Sequence, residues 1–357
     1  MKFAHYKVSS PFFSKPFTLA ASMLFFAATL SAQTPSFISF DAPGAGTAAY
    51  QGTIAEAINQ HGVITGFYID SSNLNHGFLR QPNGHITEFT PPNMVDVLSY
   101  ALNNSNQVVG SGKLNNGPFV GFLRNPNGRL TIFSPPGSTY TGPTGINDSG
   151  EVSGFYENAN GWHGFIRDAS GNFTIIDDPD ASDVGSTYVD AINASGEVTG
   201  SYNDKNTGTT RAFVRDRLGN FTNFDAVPGG SFGTNPTAIN LSGEVAGVYG
   251  VSDTITQGFF RDASGTITIF DIPNSVFTNT FGMNDSGVIV GYWQNSHLHD
   301  FGFRRDASGN VTSFSAPKPN YETTPFSINN NGKLAGRWED LNYVWHGFVK
   351  LRAARKK

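Results

Sequence analysis

The sequence contains no cysteine. Disulfides, thiolate metal sites and cysteine nucleophiles are therefore excluded, and a chain of 357 residues is long enough to bury a core without cross-links even outside the cell. Charge is scarce as well: 14% of residues are charged, and the net charge of −5 leaves no basic stripe for nucleic acid. A recognisable nucleophile elbow, a phosphate loop and a dinucleotide fingerprint are all missing, so no cofactor is implied. No stretch shows a convincing 3.6-residue apolar period, which argues against helices. What is abundant is glycine and phenylalanine, 41 and 31 residues, the composition of short strands joined by tight turns.

The N-terminus reads as an export signal over residues 1–33. Lys2, Lys7 and Lys15 form a basic segment, an apolar run extends from Phe17 to Leu30, and Ser31-Ala32-Gln33 offers a cleavage point. The run is shorter than the roughly 20 apolar residues of a membrane-spanning helix. Cleavage is the expectation, with an uncleaved anchor as the rival. No later stretch is long and apolar enough to span, so the mature chain is expected to be secreted, extracellular or periplasmic.

Residues 34–350 are built from one unit repeated seven times. Asn59, Asn103, Asn147, Asn193, Asn240, Asn284 and Asn329 are spaced by 44, 44, 46, 47, 44 and 45 residues. Three positions later stands Gly, or Asn106 in the second copy, the two types that best tolerate positive φ, so a tight hairpin turn is expected there. The preceding Asn is expected to bond that turn's backbone. An in-strand Gly follows (Gly66, Gly110 and their equivalents), and two residues on comes an aromatic in six of seven copies, such as Tyr68, Trp293 and Trp338. A third strand carries Phe78, Phe122, Phe165, Phe213, Phe259, Phe303 and Phe348. A fourth is anchored by Phe89, Phe133, Ile176, Phe224, Phe270 or Phe314 and ends at a Pro.

Four short strands in a period near 45 define a propeller blade. The seventh copy stops after His346-Gly347-Phe348-Val349-Lys350 without a fourth strand, and Phe37-Ile38-Ser39-Phe40-Asp41-Ala42-Pro43 supplies one. The expected fold is therefore all-β: a seven-bladed β-propeller with four antiparallel strands per blade, the ring closed by the N-terminal strand. An open solenoid would instead carry atypical caps at both ends. Residues 351–357 form a short basic tail with Arg352, Arg355, Lys356 and Lys357.

The connections between second and third strands vary most and hold or flank all four Trp, so candidate ligand-binding residues are sought there. These are Trp162, Trp293, His299, Asp300, Trp338, Glu339, Asp340 and Trp345. Trp and Tyr beside Asn, Asp and His suit sugar or peptide recognition. In the competing reading Trp293 and Trp338 merely fill the repeated aromatic column, whereas Trp162 and Trp345 fall outside it. No catalytic set is assigned, although Asp300, Glu339 and Asp340 are carboxylates of the kind a glycosidase or lyase uses. His297, His299 and Asp300 lack a third spaced His, and Asp177, Asp178, Asp180 and Asp183 lack a calcium-loop pattern, so no metal is assigned.

Units reading Ile-Asn-x-x-Gly, Val-x-Gly-x-Tyr and His-Gly-Phe-x-Arg resemble the bacterial extracellular repeat family named for its His-Ala-Phe (HAF) motif. The nearest forms are His76-Gly77-Phe78, His163-Gly164-Phe165, Arg211-Ala212-Phe213 and His346-Gly347-Phe348, and the likeness runs from Phe37 to Lys350. The resemblance implies export and a propeller-like repeat, and no activity. The functional expectation is a binding or interaction module for cell-envelope carbohydrate or an extracellular protein. The alternatives are a polysaccharide-active propeller enzyme and a structural envelope protein without a small ligand.

Overall fold

A computed structural model of the chain describes residues 37–182, 185–230, 232–252, 255–317 and 320–351. The segment read as an export signal, Asp183 and the tail from residue 352 lie outside the described residues. Among the described residues there are 28 strands and no helix, hence none long and apolar enough to cross a membrane.

The strands follow one another as antiparallel meanders. β1 (Phe37–Phe40) stands alone at the start. β2 (Gly52–Ile58), β3 (Ile64–Ile69), β4 (Asn75–Arg80) and β5 (Ile86–Phe89) make the first meander, and β6 (Met94–Leu102), β7 (Val108–Leu114), β8 (Phe119–Arg124) and β9 (Leu130–Phe133) the second. The third is β10 (Tyr140–Ile146), β11 (Val152–Asn158), β12 (Gly161–Arg167) and β13 (Phe173–Ile176); the fourth is β14 (Thr187–Ile192), β15 (Val198–Asn203), β16 (Thr210–Arg215) and β17 (Phe221–Phe224). Then come β18 (Thr234–Ile239), β19 (Val245–Gly250), β20 (Thr256–Arg261) and β21 (Ile267–Phe270), followed by β22 (Phe277–Met283), β23 (Ile289–Gln294), β24 (Asp300–Arg305) and β25 (Val311–Phe314). β26 (Asn320–Ile328), β27 (Leu334–Asp340) and β28 (Trp345–Lys350) come last, and β1 pairs antiparallel with β28, Phe37 opposite Lys350 and Phe40 opposite Gly347. Single parallel residue pairs, Gly52 with Trp345 and Tyr140 with Phe119, link neighbouring meanders. Each meander's first strand lies against the next one's, and β26 lies against β2.

The repeated residues account for this order. Asn59 Oδ1 accepts from the backbone N–H groups of His61 and Val63, while Gly62 turns at φ 81° and Asn106 at φ 60°. The Asn side chain also donates outward: Asn59 Nδ2 reaches the Asn103 carbonyl at 3.1 Å and Asn103 Nδ2 the Asn147 carbonyl at 3.1 Å. One residue type thus closes its own hairpin and ties it to the next meander. Inside the second strands, a Cβ on Gly66 would run into the Ile54 carbonyl oxygen of the adjacent strand, so only glycine fits that approach.

The core lies between meanders. Phe78, Phe122, Phe165, Phe213, Phe259, Phe303 and Phe348 are all fully buried, and each such side chain contributes roughly 1.5–3 kcal/mol. Fourth-strand rings meet the next meander's Phe edge-on: Phe89 with Phe122 at 6.0 Å, Phe224 with Phe259 at 5.9 Å, and Phe40 with Phe78 at 6.1 Å. The Arg of each His-Gly-Phe-x-Arg unit covers the same ring, Arg80 over Phe40 at 4.6 Å and Arg167 over Phe133 at 5.0 Å. The His column is structural too. His76, His163 and His346 stack on Tyr68, Tyr156 and Trp338 and pair with Asp70, Asp177 and Asp41.

Candidate ligand-binding cavity

Each meander's first strand slips register by one residue against its partner. At the position that all seven share, the unpaired residues are Glu56, Tyr100, Thr144, Asp190, Thr237, Phe281 and Phe326; β6 and β26 slip once more, between Val95 and Leu98 and between Asn320 and Glu322. A bulge of this kind re-aims the extra side chain away from the ladder. Six of the seven converge on one cavity of about 510 Å³, which Tyr140, Gly142, Pro143 and Phe155 complete. That volume lies within the ~300–1,000 Å³ of ordinary small-molecule sites.

The walls are aromatic and the polar groups acidic. Glu56 and Asp190 keep a little accessible surface toward the cavity but are enclosed by protein, and burial pushes each up to about 7. The Arg337 charge opposes the rise at Glu56. Neither carboxylate has a hydrogen-bond partner among the described residues. Burial also pushes the Tyr100 hydroxyl up to about 12.

A second acidic group adjoins this wall. Arg337 lies over the Phe326 ring at 5.9 Å and over the Trp345 ring at 4.4 Å, and its Nε and Nη2 donate to Glu322 Oε1 at 3.0 and 2.8 Å. Trp345 Nε1 donates to Glu339 Oε2 at 2.8 Å, and Gln294 Nε2 to Asp300 Oδ1 at 2.8 Å. Burial pushes Asp300 up to about 6, with the Glu322 charge adding to it, and burial raises Glu339 as well. The Phe281 ring packs on Phe326 at 5.0 Å and on Tyr292 at 5.9 Å, joining this group to the cavity.

The structure divides the residues singled out from the sequence. Asp300, Glu339 and Trp345 belong to the group around Arg337. His299 is exposed beside it, its ring edge-on to Tyr321 at 5.7 Å. Trp162 does not line the cavity but packs on two residues that do, 5.6 Å from Tyr140 and 5.7 Å from Phe155. Trp293, Trp338 and Asp340 are not brought there. Trp293 stacks on Phe301 at 4.8 Å and donates to Ser313 Oγ, and Trp338 is buried, stacked on His346 at 4.4 Å and bonded to Ser39 Oγ at 2.8 Å. Both fill the repeated aromatic column. Asp340 accepts from the backbone N–H groups of Asn342 and Val344 and so serves its own turn. The reason is alternation: successive side chains of β27 face opposite ways, so Arg337 and Glu339 share one face while Trp338 and Asp340 share the other.

Another hollow, about 530 Å³, lies where β1 meets β28 and is lined by Ser39, Asp41, Trp338, Asp340 and His346. Its polar groups already have one another: His346 is 3.0 Å from Asp41 and 3.8 Å from Asp340. The inner cavity alone of the two leaves carboxylates without partners. Of the acidic run, Asp177 pairs with His163 and Asp178 accepts from the Asp180 N–H.

Sequence reasoning missed Glu56, Tyr100, Asp190, Phe281 and Phe326. The signal was partial: three residues before every repeated Asn the chain reads Glu, Tyr, Thr, Asp, Thr, Phe and Phe, while the next position is always Ala, Gly or Ser.

No protein-family model matches the chain, and no curated protein matches its sequence. Solved structures do match. A catalytically inactive variant of virginiamycin B lyase from Staphylococcus aureus, crystallised with quinupristin, gives a TM-score of 0.59 at 13% identity, over 88% of this chain and 100% of that one. The β-propeller domain of the Trilobed protease from Pyrococcus furiosus gives 0.53 at 10% identity, over 77% of this chain and 86% of that one. Identities this low speak for the fold alone: the chain is a β-propeller.

Proposed function

We propose that this chain is an exported propeller of seven blades, closed by its N-terminal strand, and that it is a binding module taking cell-envelope carbohydrate into the inner cavity. The blade count is supported by seven four-strand groups, the seventh made of β26, β27, β28 and β1. Closure is supported by the contact of β26 with β2 and by the Asn329 side chain bonded to the Asn59 carbonyl. The basic and apolar N-terminal residues and the HAF-like units support export.

The observation that carries the binding reading is the cavity itself. It gathers the bulged residues of six meanders, and they bring rings and unpaired carboxylates together. Rings stack on the C–H faces of sugars and carboxylates accept from their hydroxyl groups, so the lining matches both halves of a carbohydrate. The test is a glycan and polysaccharide binding screen on the purified protein beside Asp190→Phe, a change at a residue that lines the cavity. Binding that the variant weakens while its melting temperature holds supports the reading; absence of binding across a broad panel rejects it.

A second reading, a polysaccharide-active enzyme, is favoured by Glu56 and Asp190 titrating at about 7, where a carboxyl group can both give and take a proton. Release of product from a bound glycan over time decides for it. Propellers serve both roles, so the fold does not choose.

A further inference from the structure

We propose that the cavity selects a sugar bearing a protonated amine, because two carboxylates face an aromatic-walled space with no hydrogen-bonded partner of their own. The inference rests on the carbohydrate reading and names the chemical class that the site takes.

The charges around the cavity are one-sided. Glu56 and Asp190 line it, and Glu322, Asp300 and Glu339 stand on the adjoining wall. The one cation among these groups, Arg337, is already engaged: two of its nitrogens go to Glu322 Oε1, and its guanidinium lies over Trp345. It attracts Glu56 without bonding to it, and no cation acts on Asp190. Both Glu56 and Asp190 keep accessible surface, and with no donor from the protein the cavity is the side from which a ligand's donor can reach them.

A neutral sugar offers hydroxyl donors but no charge, and an acidic sugar meets like charge on both walls. An ammonium group satisfies a carboxylate and is also drawn to ring faces, which Tyr100, Phe155, Phe281 and Phe326 supply. Burial holds both acids high, so at neutral pH each is only partly ionised in the empty cavity, and a bound ammonium lowers them again and draws out the rest of their charge.

The experiment is isothermal titration at neutral pH with three oligosaccharides of equal length: glucosamine oligomer, its N-acetylated counterpart and oligogalacturonate. The protein is tested beside the Glu56→Gln, Asp190→Asn and double variants. Both changes keep side-chain shape and remove a desolvated acid, so folding is retained, and thermal melting checks it. The expected result is glucosamine oligomer bound at least about tenfold more tightly than the acetylated one, oligogalacturonate weakest, and the preference lost in the double variant. Equal or tighter binding of the acetylated oligomer, or a preference that survives in the double variant, overturns the inference and leaves the carbohydrate reading standing. No binding of any of the three overturns the inference, and the broad glycan panel then decides the carbohydrate reading separately.

Discussion

Asn329 donates its side-chain amide to the backbone carbonyl of Asn59 at 2.8 Å, across 270 positions of sequence. The same bond type joins Asn284 to Asn329 at 3.1 Å and Asn193 to Asn240 at 2.9 Å, so the last meander meets the first by the device that joins consecutive ones. Asn329 Oδ1 meanwhile accepts from the Lys333 N–H. Asn329→Ala removes a buried donor and a turn acceptor together and is expected to cost about 1–3 kcal/mol in urea unfolding. Asn329→Asp keeps the acceptor but sets a carboxylate oxygen against the Asn59 carbonyl, and it is expected to cost at least as much.

The N-terminal strand is expected to be as necessary as any inner strand. Phe40 meets Phe78 edge-on and lies under Arg80, Phe37 stacks on Phe348 at 4.7 Å, and Ser39 accepts from Trp338. Phe40→Ala is expected to destabilise the protein by about 3 kcal/mol, the low end for a phenylalanine truncation because the ring is only partly buried. Thermal unfolding reads this directly.

Stability is expected to fall as pH rises from about 4 to about 7. Glu56 and Asp190 start from 4.5 and 3.8 in an unfolded chain and stand at about 7 when folded, so in that window the folded state holds more protons. The slope of unfolding free energy with pH is then negative. Each group accounts for on the order of 3–4 kcal/mol, lost by the time pH passes its folded value. Hydrogen bonding to Asp41 raises His346, which acts in the same direction above 6.5. Turn carboxylates act oppositely at lower pH: Asp168 and Asp306 are held low by Asn172 and Asn310, and their stabilisation is lost as pH falls below 3.8. The Glu56→Gln, Asp190→Asn double variant is expected to flatten the neutral part of the profile and to be more stable than the parent at pH 8. Equilibrium unfolding at a series of pH values checks both.

The two tryptophans of the last meander are expected to separate stability from binding. Trp338→Ala opens a buried site under His346 and β1, and its cost is expected at about 3–5 kcal/mol. Trp345→Phe keeps a ring under Arg337 but leaves the buried Glu339 without its donor, so it is expected to cost less than Trp338→Ala, about 1–3 kcal/mol, and to weaken ligand binding.

The scaffold was legible because each repeated column does one backbone task in every copy. The Asn before the turn, the Gly against the Ile54 carbonyl and the buried Phe are each required by local geometry, and repetition makes them visible. The cavity was hidden for the converse reason. A bulge leaves no residue signature of its own, and Glu56, Tyr100 and Asp190 occupy equivalent places without sharing a type. Neighbourhood in sequence also misled: Trp338 and Glu339 are adjacent in the chain, but the pleat sends one under β1 and the other to Trp345.

The central claim is that ligand enters the cavity ringed by the bulged residues. Asp190 lines that cavity without a side-chain partner, so Asp190→Phe fills the space while leaving the strand pairing alone. The decisive measurement is glycan binding to this variant beside Asp190→Asn, with melting temperature recorded for both. Asp190→Phe is expected to stay folded and bind no glycan, whereas Asp190→Asn keeps measurable affinity. A folded Asp190→Phe protein that binds as well as the parent would contradict it and place the ligand elsewhere on the propeller.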